Sequence, residues 1–209
     1  MAVDWHPLGL LKVEHSFRLK PATSEPCLLG GQHSEEFMTK MPDDFWETTE
    51  YSKREYEAEP ITDNLVSLVE ENLGYKLPPA YVELMRTQNG GIPKRKCYRT
   101  KERTSWAHDH IAITGIYGIS LNKSNALCGK FSSEFWINEW GYPALGVYFA
   151  DCPSAGHDML CLDYSQRGPY EQPRVVHVDQ ELDYSVTVLA ETFEEFILGL
   201  EPDENFAVD

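Results

Sequence analysis

The stretch LPPAYVELMRTQNGG, residues 77–91, sets the frame for the rest of the chain. Leu77-Pro78-Pro79 breaks whatever precedes it, and a proline suits the first turn of a new helix because its missing N–H has no intrahelical partner there. Tyr81, Leu84, Met85 and Gln88 then recur at helical spacing, and Asn89-Gly90-Gly91 stops the run. Gly90 or Gly91 is expected at positive φ, a conformation that strains any residue with a Cβ. Immediately upstream, ITDNLVSLVEENLG (61–74) carries Ile61, Leu65, Leu68, Val69 and Leu73 on one face. Thr62 or Asp63 can cap its start, and Gly74 can end it in a left-handed turn. Two helices meeting at a proline break are the first fixed point.

Downstream the period changes. Ile111 to Ile116 is rich in β-branched residues, and Val147–Phe149, Met159–Leu162 and Val175–Val178 are short apolar runs between turn residues, as strands are. Asp151–His157 and Tyr164–Pro173 read as loops between them. A last helix opens at Thr192 with the capping box Thr192-x-x-Glu195; its stripe is Phe193, Phe196, Ile197 and Leu200, and Pro202 marks its end. Upstream, 8–13 and 17–19 are candidate strands. The acidic run from Pro42 to Pro60, with Phe45, Trp46, Tyr51 and Tyr56 set in it, is expected to form a helix with its aromatic side on the domain. Helices before and after a run of strands predict an α+β fold, a mixed or antiparallel sheet flanked by helices. The expected division is an N-terminal extension packed on the domain and partly irregular (1–59), the domain itself (60–200) and an acidic tail (201–209).

Five segments in this order carry a resemblance. LGYK leading into LPPAYVELMRTQNGG (77–91), then SWAHDHIAITGIYGIS (105–120), GYPALGVYFADCPSAGHDMLCLDYS (141–165), PRVVHVDQE (173–181) and LAETFEEFILGL (189–200) together resemble the Smi/Knr family of the SUKH superfamily. The resemblance covers roughly residues 60–200. It implies a mixed sheet flanked by helices and a protein that is not an enzyme. In bacteria it implies an immunity protein that neutralises a rival's toxin by direct binding; in fungi, a scaffold in cell-wall regulation.

The charge balance narrows the partners. Eighteen Lys and Arg face 34 Asp and Glu, a formal net charge of −16. Nucleic acid and anionic membrane surfaces repel such a chain, because both are bound mainly through basic side chains. A basic protein, such as a toxin domain, is attracted and steered. The 42% apolar and 25% charged content is that of a globular chain, and at this length a fold buries roughly 70% of the unfolded surface. The cysteines Cys27, Cys97, Cys128, Cys152 and Cys161 are odd in number and scattered, without a CxxC pair, so a disulfide framework or zinc ribbon is not expected. MAVDWHPLGLLKVEH lacks a signal-peptide pattern, and no run approaches the ~20 apolar residues of a membrane span; the expected location is the cytoplasm.

Candidate chemistry is weighed against its structural alternative. His108, Asp109 and His110, with His157, Asp158, Asp163, His177 and Asp179, have metal-ligand side chains but no metal-site motif, and turn hydrogen bonds account for them equally well. No metal or cofactor is expected. Ser154, Ser165 and Cys161 lie near His157 and Asp158, yet no nucleophile elbow is present and Cys161 sits in an apolar run. The basic stretch Lys94, Arg95, Lys96, Arg99, Lys101 and Arg103 either answers the acidic run at 43–59 or is a solvated loop. Asp179, Glu181 and Asp183 alternate, which in an extended chain puts them on one side. With Trp106 and Tyr98 they form the expected partner-binding set. The rival reading is a scaffold, or a metal-dependent or small-ligand enzyme using His157, Asp158, His177 and Asp179.

Overall fold

The computed structural model describes residues 36–206, so the candidate strands at 8–13 and 17–19 lie outside the described residues. Helix α1 is Glu50–Glu55, α2 Asp63–Leu73 and α3 Pro79–Thr87. Strands β1 (Cys97–Arg99), β2 (His110–Ala112) and β3 (Gly115–Ile116) follow, then α4 (Ser133–Trp140). The chain continues through β4 (Gly146–Asp151), β5 (Asp158–Asp163), β6 (Arg174–Asp179) and β7 (Ser185–Ala190) to α5 (Phe193–Leu198). β3 to β7 form one five-stranded sheet in chain order, and β1 pairs with β2; every ladder is antiparallel. The fold is therefore α+β with an antiparallel sheet.

The helix ends follow the expected chemistry. Thr62 Oγ1 accepts the Leu65 N–H at 3.2 Å, and Gly74 closes α2 at φ 74°. Thr192 Oγ1 accepts the Glu195 N–H at 3.2 Å, while the Glu195 carboxylate reaches back to the Glu191 N–H at 3.1 Å. Pro79 opens α3. After it, Asn89 donates to the carbonyls of Glu59 and Ile119 (2.7 and 3.0 Å) and accepts from the Ile119 N–H at 2.7 Å. Gly90 sits at φ 87°, as expected, with Tyr56 and Gly118 backbone against it. The Asn89-Gly90 pair thus ties α3 to two other segments.

All six residues of β5 are buried, so the central strand is covered on both faces. Tyr81, Leu84, Phe193, Phe196 and Ile197 lie in the core as the stripes predict. Tyr81 meets Phe193 at 4.9 Å and Phe149 at 6.0 Å between ring centres, and Phe149 meets Phe196 at 5.9 Å. Another cluster joins α4 to the sheet: Trp136, Tyr142, Tyr148 and Tyr184 stack edge-on within 5.2–5.9 Å. Among the described residues β7 is the outer strand, hydrogen-bonded on one side only, with Val186 and Val188 exposed. The opposite edge, β3, is met by Gly91 in a bridge to Ile116.

Two expectations change. Ile111 to Ile116 is two strands in two sheets, because Ile113 N–H bonds the Lys96 carbonyl while Thr114 N–H bonds that of Asp151. The acidic run holds only the short α1: Phe45 and Tyr56 are buried, but Tyr51 is half exposed. The basic stretch does answer this run, through Lys94–Asp44 at 2.9 Å and Lys96–Glu47 at 2.7 Å. Solvent screens such pairs, so they orient the segments more than they stabilise them.

Asp151, at the end of β4, joins α1's flank to the sheet. It accepts from the Tyr56 hydroxyl at 2.8 Å and the Gly115 N–H at 3.2 Å. Burial outweighs those two bonds and raises its carboxyl from 3.8 to about 6. A folded-state value above the unfolded one means that its contribution to stability is fully present below pH 3.8 and lost as pH rises through about 6. The contribution is up to about 3 kcal/mol. Denaturant titrations across this window should show Asp151→Asn with a flatter stability-versus-pH slope than the parent; equal slopes would assign the dependence to other groups.

Candidate partner-binding site

β6 ends at Asp179, which is buried rather than presented to a partner. Its carboxylate accepts the Ser105 N–H at 2.8 Å and the Ser105 hydroxyl at 2.9 Å. Gln180–Leu182 then form a 3-10 turn and Asp183 lies in the left-handed region at φ 57°. The alternation Asp179, Glu181, Asp183 therefore does not run along an extended strand, and the expected single acidic side is corrected to an exposed Glu181 and Asp183 on a turn. Asp179 positions instead of contacting: it holds Ser105, and so Trp106, close to that turn. His157 Nδ1 lies 2.8 Å from both Gln180 Oε1 and Glu181 Oε1.

Trp106 is 42% exposed and Tyr51 50% exposed. Both line a groove of about 470 Å³ with Glu47, Lys96, Pro153 and Asp203. Lys96 is paired to Glu47 at its wall. An indole and a phenol edged by carboxylates are suited to a guanidinium or ammonium group, which gains from the ring faces and the charges together. Tyr98 belongs elsewhere. Its ring lies 5.2 Å from that of Phe196, against α5, and burial followed by the nearby Glu195 raises its hydroxyl above the ordinary value. Tyr51 and Glu47 were not among the expected site residues, and the signal for them was aromatic residues set in an acidic run; Asp203 comes from the acidic tail.

The catalytic candidates disperse. Ser154 Oγ accepts the Asp158 N–H at 3.0 Å in the turn, and Ser165 donates to Asp163 at 2.6 Å. Asp163 is also paired with Arg174 at 2.6 Å; despite the opposing effect of burial, the Ser165 and Arg174 bonds hold its carboxyl below the usual value. His110 bonds its neighbour Asp109 at 2.9 Å, and His108 is exposed. His157 faces solvent while Asp158 beside it is buried, and His177 Nε2 lies 2.7 Å from Asp158 Oδ2 inside the fold. Cys161 is fully buried, and burial pushes its thiol well above the ordinary range, as it does for Cys152. Neither thiol is a poised nucleophile. No helix among the described residues is long and apolar enough to cross a membrane.

A family model described as SMI1-KNR4 cell-wall matches residues 63–197, from the first residue of α2 into the last turn of α5. A search of curated proteins found no match. The matched stretch spans well over half of the 209 residues and contains the whole sheet, the α2–α3 pair and the Asp179–Ser105 contact. The chain belongs to the SMI1-KNR4 family of SUKH proteins.

Proposed function

We propose that this chain is a non-enzymatic binding protein that neutralises a toxin by seating a basic segment of it in the Trp106–Tyr51 groove, with Glu181 and Asp183 steering the approach. The family fits an immunity or cell-wall regulatory role. The observation that carries the finer reading is the half-exposed aromatic pair beside Glu47 and Asp203 on a chain of net charge −16. Large rings left in water beside carboxylates are what a cationic anchor residue needs. The cell-wall description of the family favours a second reading, a scaffold whose partner uses the same groove.

The partner to test is a basic toxin domain encoded beside this chain's gene, mixed with the purified chain in stopped flow. Association should slow at least tenfold as salt rises from ~10 to ~150 mM, where the Debye length falls from about 30 to 8 Å. Trp106→Ala should weaken binding by roughly 30-fold or more, the effect of losing an anchor worth about 2 kcal/mol. Glu181→Ser with Asp183→Ser should lower the on-rate and leave thermal melts within about 0.5 kcal/mol per site. Normal rates and affinity in these folded variants would place recognition on another surface.

A further inference from the structure

The register of the sheet gathers residues that are far apart in sequence. Asp151 pairs with Met159, so the next residue, Cys152, falls beside Asp158; Asp158 pairs with Asp179, and His177 sits diagonally on the same face. Donor atoms of Cys152, Asp158 and His177 all lie within 4.8 Å of one another, and all three residues are at most 3% exposed. Among the described residues, Asp158 Oδ1 and His177 Nδ1 are buried atoms with no hydrogen-bond partner. Such orphans are uncommon in folded proteins and call for an explanation.

Charge sharpens the point. Asp151, Asp158 and Asp179 all act electrostatically on the Cys152 sulfur, which also hydrogen-bonds Asp158. Among the described residues, no Lys or Arg is paired with Asp158 or Asp179; Arg174, on the same strand, is taken by Asp163 at its other end. Asp158 has His177 at 2.7 Å and Asp179 has Ser105, and a bound cation would add the fixed positive charge that this buried cluster lacks. Tyr142 donates to the Gly156 carbonyl at 2.8 Å, closing the turn between Cys152 and Asp158.

We infer that Cys152, Asp158 and His177 form a buried three-ligand site for a zinc-like divalent metal. Sulfur, imidazole nitrogen and carboxylate oxygen are the ligand types zinc takes, at about 2.0–2.3 Å from the metal. Ligands in such a tetrahedron stand roughly 3.3–3.8 Å apart, so the set must tighten from its 4.8 Å span while the His177–Asp158 pair at 2.7 Å opens to admit the metal. The three residues supply three donor atoms and leave the fourth position to a water. Binding releases the Cys152 thiol proton to solvent and uses a lone pair of neutral His177. Burial excludes substrate, so the metal's work is to pin the ends of β4, β5 and β6, next to the Asp179–Ser105 contact. This site stands independently of the binding groove.

The test uses the full chain, stripped by chelator in denaturant and refolded with Co2+ as a spectroscopic probe. One Co2+ per chain is expected, with a thiolate-to-cobalt charge-transfer band that Zn2+ abolishes by competition. Cys152→Ser should lose the band and Cys128→Ser, at a partly exposed thiol outside the cluster, should keep it. Zn2+ should also raise the melting temperature of the parent and not that of Cys152→Ser. Refolded parent that binds no Co2+, or binds it without the thiolate band, overturns the inference, as does a band that survives in Cys152→Ser. The parent titration decides even where Cys152→Ser fails to refold.

Discussion

Phe196→Ala is expected to destabilise the chain by about 3–5 kcal/mol, a large share of the stability of an ordinary domain. Phe196 is fully buried and touches both sides of the core, with Tyr98 at 5.2 Å and Phe149 at 5.9 Å between ring centres. Removing the ring loses its burial and leaves a cavity bounded by rigid neighbours, on the short α5 that closes over β6 and β7. Leu198, two residues on and 40% exposed, is the control on the same helix. Leu198→Ala should cost well under half as much. Denaturant midpoints compare the two directly, and equal losses would mean that α5 is held by its helical turns and not by the ring.

Gly90→Ala is the second large effect, about 2–4 kcal/mol from two sources that add. The residue sits at φ 87°, which costs a Cβ about 1–2 kcal/mol. The new methyl would also lie 2.6 Å from the Tyr56 carbonyl oxygen and 2.7 Å from the Gly118 nitrogen, both backbone atoms that cannot swing aside. Gly168→Ala isolates the first source: its φ is 100° but nothing lies within 4 Å of an added Cβ. Gly168→Ala should therefore cost only the dihedral share. Equal costs at the two glycines would show that the Tyr56 and Gly118 segments yield easily.

What could be read ahead of the structure was what is local. Thr62, Gly74, Thr192 and Gly90 act within one turn of chain, and their roles follow from their neighbours. β4, β5 and β6 announced themselves as apolar runs because they are buried on both faces. β7 did not: SVTVLA leaves Val186 and Val188 in water, so burial gave it no continuous signal. α4 was missed for its brevity and its aromatic content, which suits strands as well as helices. The site residues needed register. Reading His157 with Asp158 joined sequence neighbours whose side chains part, His157 to solvent and Asp158 inward. The sheet instead places His177 with Asp158 and leaves His157 outside. Asp179 looked like surface charge because its partner, Ser105, lies 74 residues away.

The one-sided pairing of β7 bears on how this protein behaves in a crowded solution. Among the described residues its outer backbone groups are left as a template for another strand, and SVTVLA contains no lysine or proline, the usual blunting residues. Mutual repulsion between copies is what keeps such edges apart, and here it comes from the net charge of −16. That guard fades on acidification and vanishes near the isoelectric point of about 4.8. Acid pulls the molecule two ways: as pH falls below about 6 Asp151 favours the folded chain, while the colloidal barrier that keeps folded chains separate disappears. Loss of solubility at mild acidity is then expected from chains that are still folded, with the β7 edge as their point of contact.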